Sequence, residues 1–400
     1  MRKLFSKFAL TAGFVLATAL TFSCSSGDDG GASSYYGWYG NGSAKNYTIS
    51  TVAQLRGLAD IVNGERADSI PPQDDFRGKT ITLAANIKLN DESLLIGWGW
   101  SWSLEENFSF NGTFDGNNKT ISGNMRNAIF GIIGEYGTVK NLVFSDFSYD
   151  GIGYGEAVLA MTNSGTVRNV GFNGNVSFGS GGGVVDDNYG IVENCYFSGT
   201  LSGDGGGVVG DNSGIVRNSY STGSISGDML STGGVVGVNR AQGTVENCYS
   251  TSDVTNGSIA GGVVGDNYGT IKNCYATGSV VSHFGYAGGI AGYHRDGSIQ
   301  NCVALNSSIN TKQTSTLSRI SNYANLTNNY ALDNIVMLSG YSIVSDANGR
   351  DGADITSAEW GNANWWQNTV KFSSNVWEFE DGLPILKNMP EGTQNPEVAR

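Results

Sequence analysis

From about residue 126 onward the chain alternates short apolar runs with glycine, asparagine, aspartate and serine. The segment GGVVGDNYGTIKNCYATGSVVS (Gly261 to Ser282) has the pattern of strand, turn, strand, bend and short strand. The pattern recurs as GTVKN from Gly137, GTVRN from Gly165, GIVEN from Gly190, GIVRN from Gly214, GTVEN from Gly243, GTIKN from Gly269 and GSIQN from Gly297, at spacings of 24 to 29 residues. A degraded copy lies at Leu326 to Ala331. A period of this length marks like units that bury a continuous core only by stacking. Runs so short leave no room for crossover helices, so the units must join through parallel, in-register strands. The expected fold is all-β: a parallel β-helix, or β-solenoid. Eight to ten coils at a strand spacing of ~4.8 Å would make a rod of roughly 40 to 50 Å.

Aligning the units gives columns. Val139, Val167, Val192, Val216, Val245, Ile271 and Ile299 are expected to face inward. The next column (Lys140, Arg168, Glu193, Arg217, Glu246, Lys272, Gln300) is expected to face solvent. Asn141, Asn169, Asn194, Asn218, Asn247, Asn273 and Asn301 follow as an asparagine ladder, since asparagine tolerates left-handed backbone and its amide can bond its counterpart one coil away. If each asparagine marks a bend, Cys195, Cys248, Cys274 and Cys302 turn inward as small buried apolar groups, with disulfides the alternative. The same bend turns Tyr196, Tyr220, Tyr249 and Tyr275 outward as stacked rings able to bind a ligand; without the bend these rings are core.

Both ends of such a stack need covering. Ser50 to Gly64 has amphipathic helical spacing (Val52, Leu55, Leu58, Ile61, Val62), with Ser50 as expected N-cap and Gly64 as stop. Trp360, Trp365, Trp366, Trp377, Phe379 and Leu386 form the expected C-terminal cap. The expected organisation is a signal peptide over 1–23, a flexible tether over 24–46, an N-terminal cap and first coils over 47–125, repeats over 126–335, and a C-terminal cap and tail over 336–400.

Composition narrows the function. There are 59 glycines against 5 prolines, and the formal net charge is −13. So acidic a chain lacks the clustered cations that phosphate neutralisation needs, which argues against nucleic acid. Gly205, Gly207 and Gly210 match a dinucleotide fingerprint in spacing only; they are one copy of a recurring GGVVG with no helix after it, so no nucleotide is expected. At the N-terminus, Arg2, Lys3 and Lys7 precede an apolar run from Phe8 to Phe22, the pattern of a secretory signal. Ser23-Cys24 resembles a bacterial lipobox, with Thr21 where leucine is usual. Cys24 is therefore the expected lipidation site and membrane anchor, with an ordinary cleavage site as the alternative. The glycine-rich, acidic segment after it resembles the export signals of surface-exposed lipoproteins, which implies the bacterial outer membrane and the cell surface.

The chemistry on offer is sparse. Asp187 and Asp211 occupy equivalent positions on adjacent coils, about 5 Å apart by strand spacing. That suits a paired-carboxylate glycosidase, so both are candidate catalytic residues; with Asp186 they are also candidate Ca²⁺ ligands, Ca²⁺ being the one cofactor considered. The plainer reading is solvated turn residues. His283 and His294 belong to no recognisable triad or metal spacing.

GIIG (Gly131 to Gly134), GVVG (from Gly207, Gly234 and Gly262) and GIAG (from Gly289) resemble the repeat of GLUG-motif proteins, as do YTISTVAQLRGLA, FNGTFDGNNKTISG and WEFEDGLPILK. In one copy Asp186 replaces the second glycine. The resemblance implies a β-helical bacterial surface module, often appended to adhesins or proteases, and transfers no catalytic residue. The function expected is adhesion or binding to cells, matrix, polysaccharide or a cell-surface protein. A polysaccharide-degrading β-helical enzyme and a structural envelope component are the alternatives.

Overall fold

The structure, a computed structural model, describes residues 35–65, 70–98, 108–150, 154–322, 325–379 and 382–398. The expected signal peptide, Cys24 and the first part of the tether lie outside the described residues. The chain winds as the period requires, into a parallel β-solenoid. One coil runs through strands Ile191–Glu193, Tyr196–Gly206 and Val209–Asn212 before the next begins at Ile215. Valine pairs with valine or isoleucine from coil to coil through Val139, Val167, Val192, Val216, Val245, Ile271 and Ile299, all fully buried. The outer column beside them pairs opposite charges across coils, as in Arg217 with Glu193 and Lys272 with Glu246.

The bend is real. Asn141, Asn169, Asn194, Asn218, Asn247, Asn273 and Asn301 all adopt left-handed backbone, with φ between 50° and 56°. Their amides bond across coils, as from Asn169 to Asn141 at 2.9 Å and from Asn301 to Asn273 at 3.0 Å. The run is interrupted at Asn218, whose Oδ1 is buried with no hydrogen-bond partner. Beyond the bend Cys195, Cys248, Cys274 and Cys302 are free and fully buried. Each thiol donates to the carbonyl two residues back, at 3.2 to 3.3 Å.

The glycine doublet turns the second corner of the coil. A Cβ at Gly182, Gly206, Gly233 or Gly261 would sit 1.8 to 2.2 Å from the carbonyl oxygen three residues on, so no side chain fits. The chain then enters a separate seven-stranded parallel sheet made of Phe130–Ile133, Ala160–Asn163, Val185–Asn188, Val209–Asn212, Val236–Asn239, Val264–Asn267 and Ala291–His294. Each of its last six strands except the final one ends in an asparagine. These point inward, fully or almost fully buried, and form a second ladder: Asn163, Asn188, Asn212 and Asn239 each donate from Nδ2 to the next asparagine's Oδ1 at 2.8 Å. Asn267 meets His294 Nδ1 at 3.0 Å. The asparagines that follow the candidate aspartates are thus internal wiring and not solvated turn residues.

At the N-terminal end helix α1 (Val52–Asn63) buries Leu55, Leu58, Ile61 and Val62. Its N-cap is Thr51, whose side chain accepts from Gln54 N, and not Ser50 as expected; Ser50 N donates to the Gln54 side chain. Gly64 ends it in left-handed geometry, as expected. Ordered structure starts earlier than the tether boundary at 46. Trp38 and Tyr39 pack with Tyr47 and Phe76, and Tyr39 donates a 2.7 Å hydrogen bond to Asp74.

At the other end Ala353–Ile355 pairs with Tyr330–Leu332 as a last strand. The chain then doubles back outside the coils. Trp366 and Trp377 both lie 5.8 Å from the Tyr275 ring, and Trp377 lies 6.3 Å from Tyr249. Tyr275 donates to the Pro384 carbonyl, Tyr249 to the Gln394 side chain and Tyr220 to the Thr393 carbonyl. The expected cap is therefore a strap along the rod. Among the described residues no helix is long and apolar enough to cross a membrane.

Candidate functional site

Two places were expected to carry function, the tyrosine column and the acidic turn. The column is stacked as expected: successive rings from Tyr196 to Tyr275 are 4.9 to 5.3 Å apart and within 8° of parallel. The rings turn away from the cysteines, as the bend requires. They are not an open platform, however. Tyr196, Tyr220, Tyr249 and Tyr275 are 3% exposed or less. The strap takes the hydroxyl hydrogen bonds of Tyr220, Tyr249 and Tyr275, and Tyr196 lies against Gly171 and Tyr220 with its hydroxyl on Asn173. The surface that a ligand would need at Tyr220, Tyr249 and Tyr275 is taken by Trp366, Trp377, Pro384, Thr393 and Gln394.

The acidic turn lies on the outer face of the seven-stranded sheet. Asp187 and Asp211 are register partners on adjacent coils, with Thr162 before them and Val238 and Asp266 after. Adjacent strand residues point to opposite sides, so Asp186 does not join them. Its carboxyl lies over Gly210 of the next coil, where a Cβ would meet its Oδ1 at 2.4 Å. Asp186 is only 9% exposed. Burial pushes its carboxyl up to about 8, and the charges of Asp187, Asp211 and Glu156 push the same way. The three aspartates thus do not converge as Ca²⁺ ligands. Among the described residues no three His, Cys, Asp or Glu side chains are grouped to hold a metal ion.

Arg240 and Arg295 lie on later coils in the sequence reading, but not as members of one column, the residue after each inner-ladder position. Backbone hydrogen bonds to the preceding coil put Ser164, Tyr189, Ser213, Arg240, Tyr268 and Arg295 in line. Arg240 grips both oxygens of Asp211, with Nε 2.8 Å from each. Arg295 repeats the device on Asp266 at 3.3 Å and lies over the Tyr268 and Tyr293 rings, 5.1 and 4.6 Å from their centroids. Between Tyr189 and Tyr268 the surface dips into a cleft of about 550 Å³, lined by Asp187, Asp211, Ser213 and Arg240 besides the two tyrosines. The tyrosines stand three coils apart, about 14 Å by strand spacing. Tyr189 is 60% exposed. Burial raises the Asp187 carboxyl above its ordinary range, and the nearby Asp211 charge adds to this while Arg240 opposes it.

The cleft combines two kinds of contact. Two aromatic walls offer apolar faces, and the floor between them offers carboxylates, a guanidinium and a hydroxyl. It is a poor arrangement for paired-carboxylate hydrolysis, since Arg240 occupies both oxygens of Asp211.

The chain matches the family model of the GLUG motif at residues 230–255 and 256–281. No curated protein matches it. Among solved structures it is similar to the crystal structure of "a putative immunoglobulin A1 protease from Bacteroides ovatus", at 21% identity over 86% of this chain and 92% of that one, with a TM-score of 0.47. The two matched motifs fall on adjacent coils, and this chain is a β-solenoid with the GLUG motif on those two coils.

Proposed function

We propose that the protein is a surface-anchored binding rod that holds a polysaccharide in the cleft between Tyr189 and Tyr268. A lipid on Cys24 would fasten it to the bacterial outer membrane. One observation carries this reading. In the cleft two tyrosines stand across a polar floor, and a sugar chain needs just those two kinds of contact. The ladder of Asn163 to Asn267 runs directly beneath it and holds the floor rigid, so little ordering entropy is left to lose on binding.

The test is glycan-array binding with the intact protein and with Tyr189→Ala and Tyr268→Ala. Each ring should account for about 1 kcal/mol or more, a several-fold loss in affinity for any glycan that binds. Binding that neither substitution changes would sink the assignment. Release of reducing or unsaturated sugars from a bound polymer, abolished by Asp187→Ala, would instead favour the enzyme.

A further inference from the structure

The arginine column of the seven-stranded sheet has a gap. Asp211 is paired by Arg240, which follows the inner asparagine of the next coil, Asn239. Asp266 is paired by Arg295, which follows His294 in the same place one coil on. Asp187 sits in the same carboxylate column and the same register. The residue that would supply its cation follows Asn212, and it is Ser213. Serine cannot reach across as arginine does and carries no charge. Arg240, the nearest guanidinium, is committed to both oxygens of Asp211. The missing cation leaves both the unneutralised carboxylate and the hollow beside it, and the hollow is the cleft between Tyr189 and Tyr268.

We infer that the cleft takes a cationic glycan, one whose sugar carries a free primary amine, and that the ammonium fills over Ser213 the place that arginine fills on the neighbouring coils. This rests on the glycan-binding reading above and adds the ligand's charge to it. The groups that face the ammonium are Asp187 and Asp211, with Arg240 across the floor and Asp186 behind the sheet. Their sum is negative. It disfavours uronic and sulfated sugars by like-charge repulsion and favours an amine by a charge-assisted hydrogen bond to Asp187. The raised carboxyl of Asp187 fits the same account. Burial and the nearby Asp211 charge raise it, and an ammonium beside Asp187 would oppose that rise as a partner cation does.

The test is calorimetric titration of the intact protein with glucosamine tetrasaccharide, its fully N-acetylated counterpart and a galacturonate tetramer. We expect the amine form to bind at least tenfold more tightly than the acetylated form and the uronate not to bind. We also expect Asp187→Asn to abolish the preference, bringing the amine form's affinity down to that of the acetylated form measured on the same variant. Asp187→Thr copies Thr162 of the preceding coil and guards against a folding artefact; it should behave like Asp187→Asn, with an unchanged circular dichroism spectrum. Equal binding of amine and acetylated forms would overturn the inference and leave the glycan site standing. An amine preference that survives both substitutions would also overturn it, placing the cation elsewhere. Failure of every glycan to bind would remove the site and the inference together.

Discussion

Asp186 should make the fold more stable in acid than in base. It stands where the repeat has glycine on the neighbouring coil, and its carboxyl is pressed over Gly210 with little access to water. Its carboxyl, ordinarily at 3.8, is pushed up to about 8 by burial and by Asp187, Asp211 and Glu156. The folded protein therefore holds this proton over a range in which the unfolded chain has released it. The stability is fully present below about pH 4 and is lost as pH rises through about 8. A gap of about 4 units at ~1.4 kcal/mol each sets a ceiling of roughly 5 to 6 kcal/mol, and local relaxation or water entry would leave about 3. Denaturant unfolding of the wild type and of Asp186→Asn, at single pH steps from 4 to 9, measures it. The difference in favour of the asparagine variant should grow by up to about 1.4 kcal/mol per pH unit and level off above pH 8. Asp186→Gly, which restores the motif, should show the same trend. A difference that stays flat between pH 5 and 9, or grows toward acid, would refute the reasoning.

Other perturbations have equally definite outcomes. Arg240→Ser should free a second carboxylate, Asp211, and raise the affinity for an amine sugar several-fold in the same titration. Asn212→Ala interrupts the inner ladder, taking the acceptor from Asn188 Nδ2 and the donor from buried Asn239 Oδ1; the expected cost is about 1 to 3 kcal/mol, read from thermal unfolding. Tyr249→Ala removes a fully buried ring from between Tyr220 and Tyr275 and should cost about 3 to 5 kcal/mol, with faster proteolysis of the strap. Burial pushes the Cys195 thiol up to about 12, so it should resist thiol reagents at neutral pH until the protein is unfolded.

The coil architecture was legible in the sequence because a solenoid writes each contact many times. Seven asparagines at one offset foretold seven left-handed bends, and the valine column foretold the core, since stacking places like residues on like. Features that occur once were not legible. The strap has no period, so nothing in Trp366 or Trp377 says whether they seal the end of the rod or lie along its side. Only their contacts with Tyr249 and Tyr275 decide it, and these turned an expected binding platform into buried packing. The cleft was missed for a different reason. Asp187 and Asp211 were singled out as a pair, yet the informative column was the one after the inner asparagine, where Arg240, Arg295 and the exception Ser213 stand. Its signal was present in the aligned repeats, but its meaning needed the strand register that carries each arginine to the carboxylate one coil earlier.

The most direct test of the account is a crystal structure of the protein grown with glucosamine tetrasaccharide. The sugar should lie across Ser213 between the rings of Tyr189 and Tyr268, with one ammonium within hydrogen-bond distance of Asp187 Oδ1 or Oδ2. Sugar bound only in the separate hollow beside Met229 and Leu230, or over the tyrosine column with the strap displaced, would contradict it.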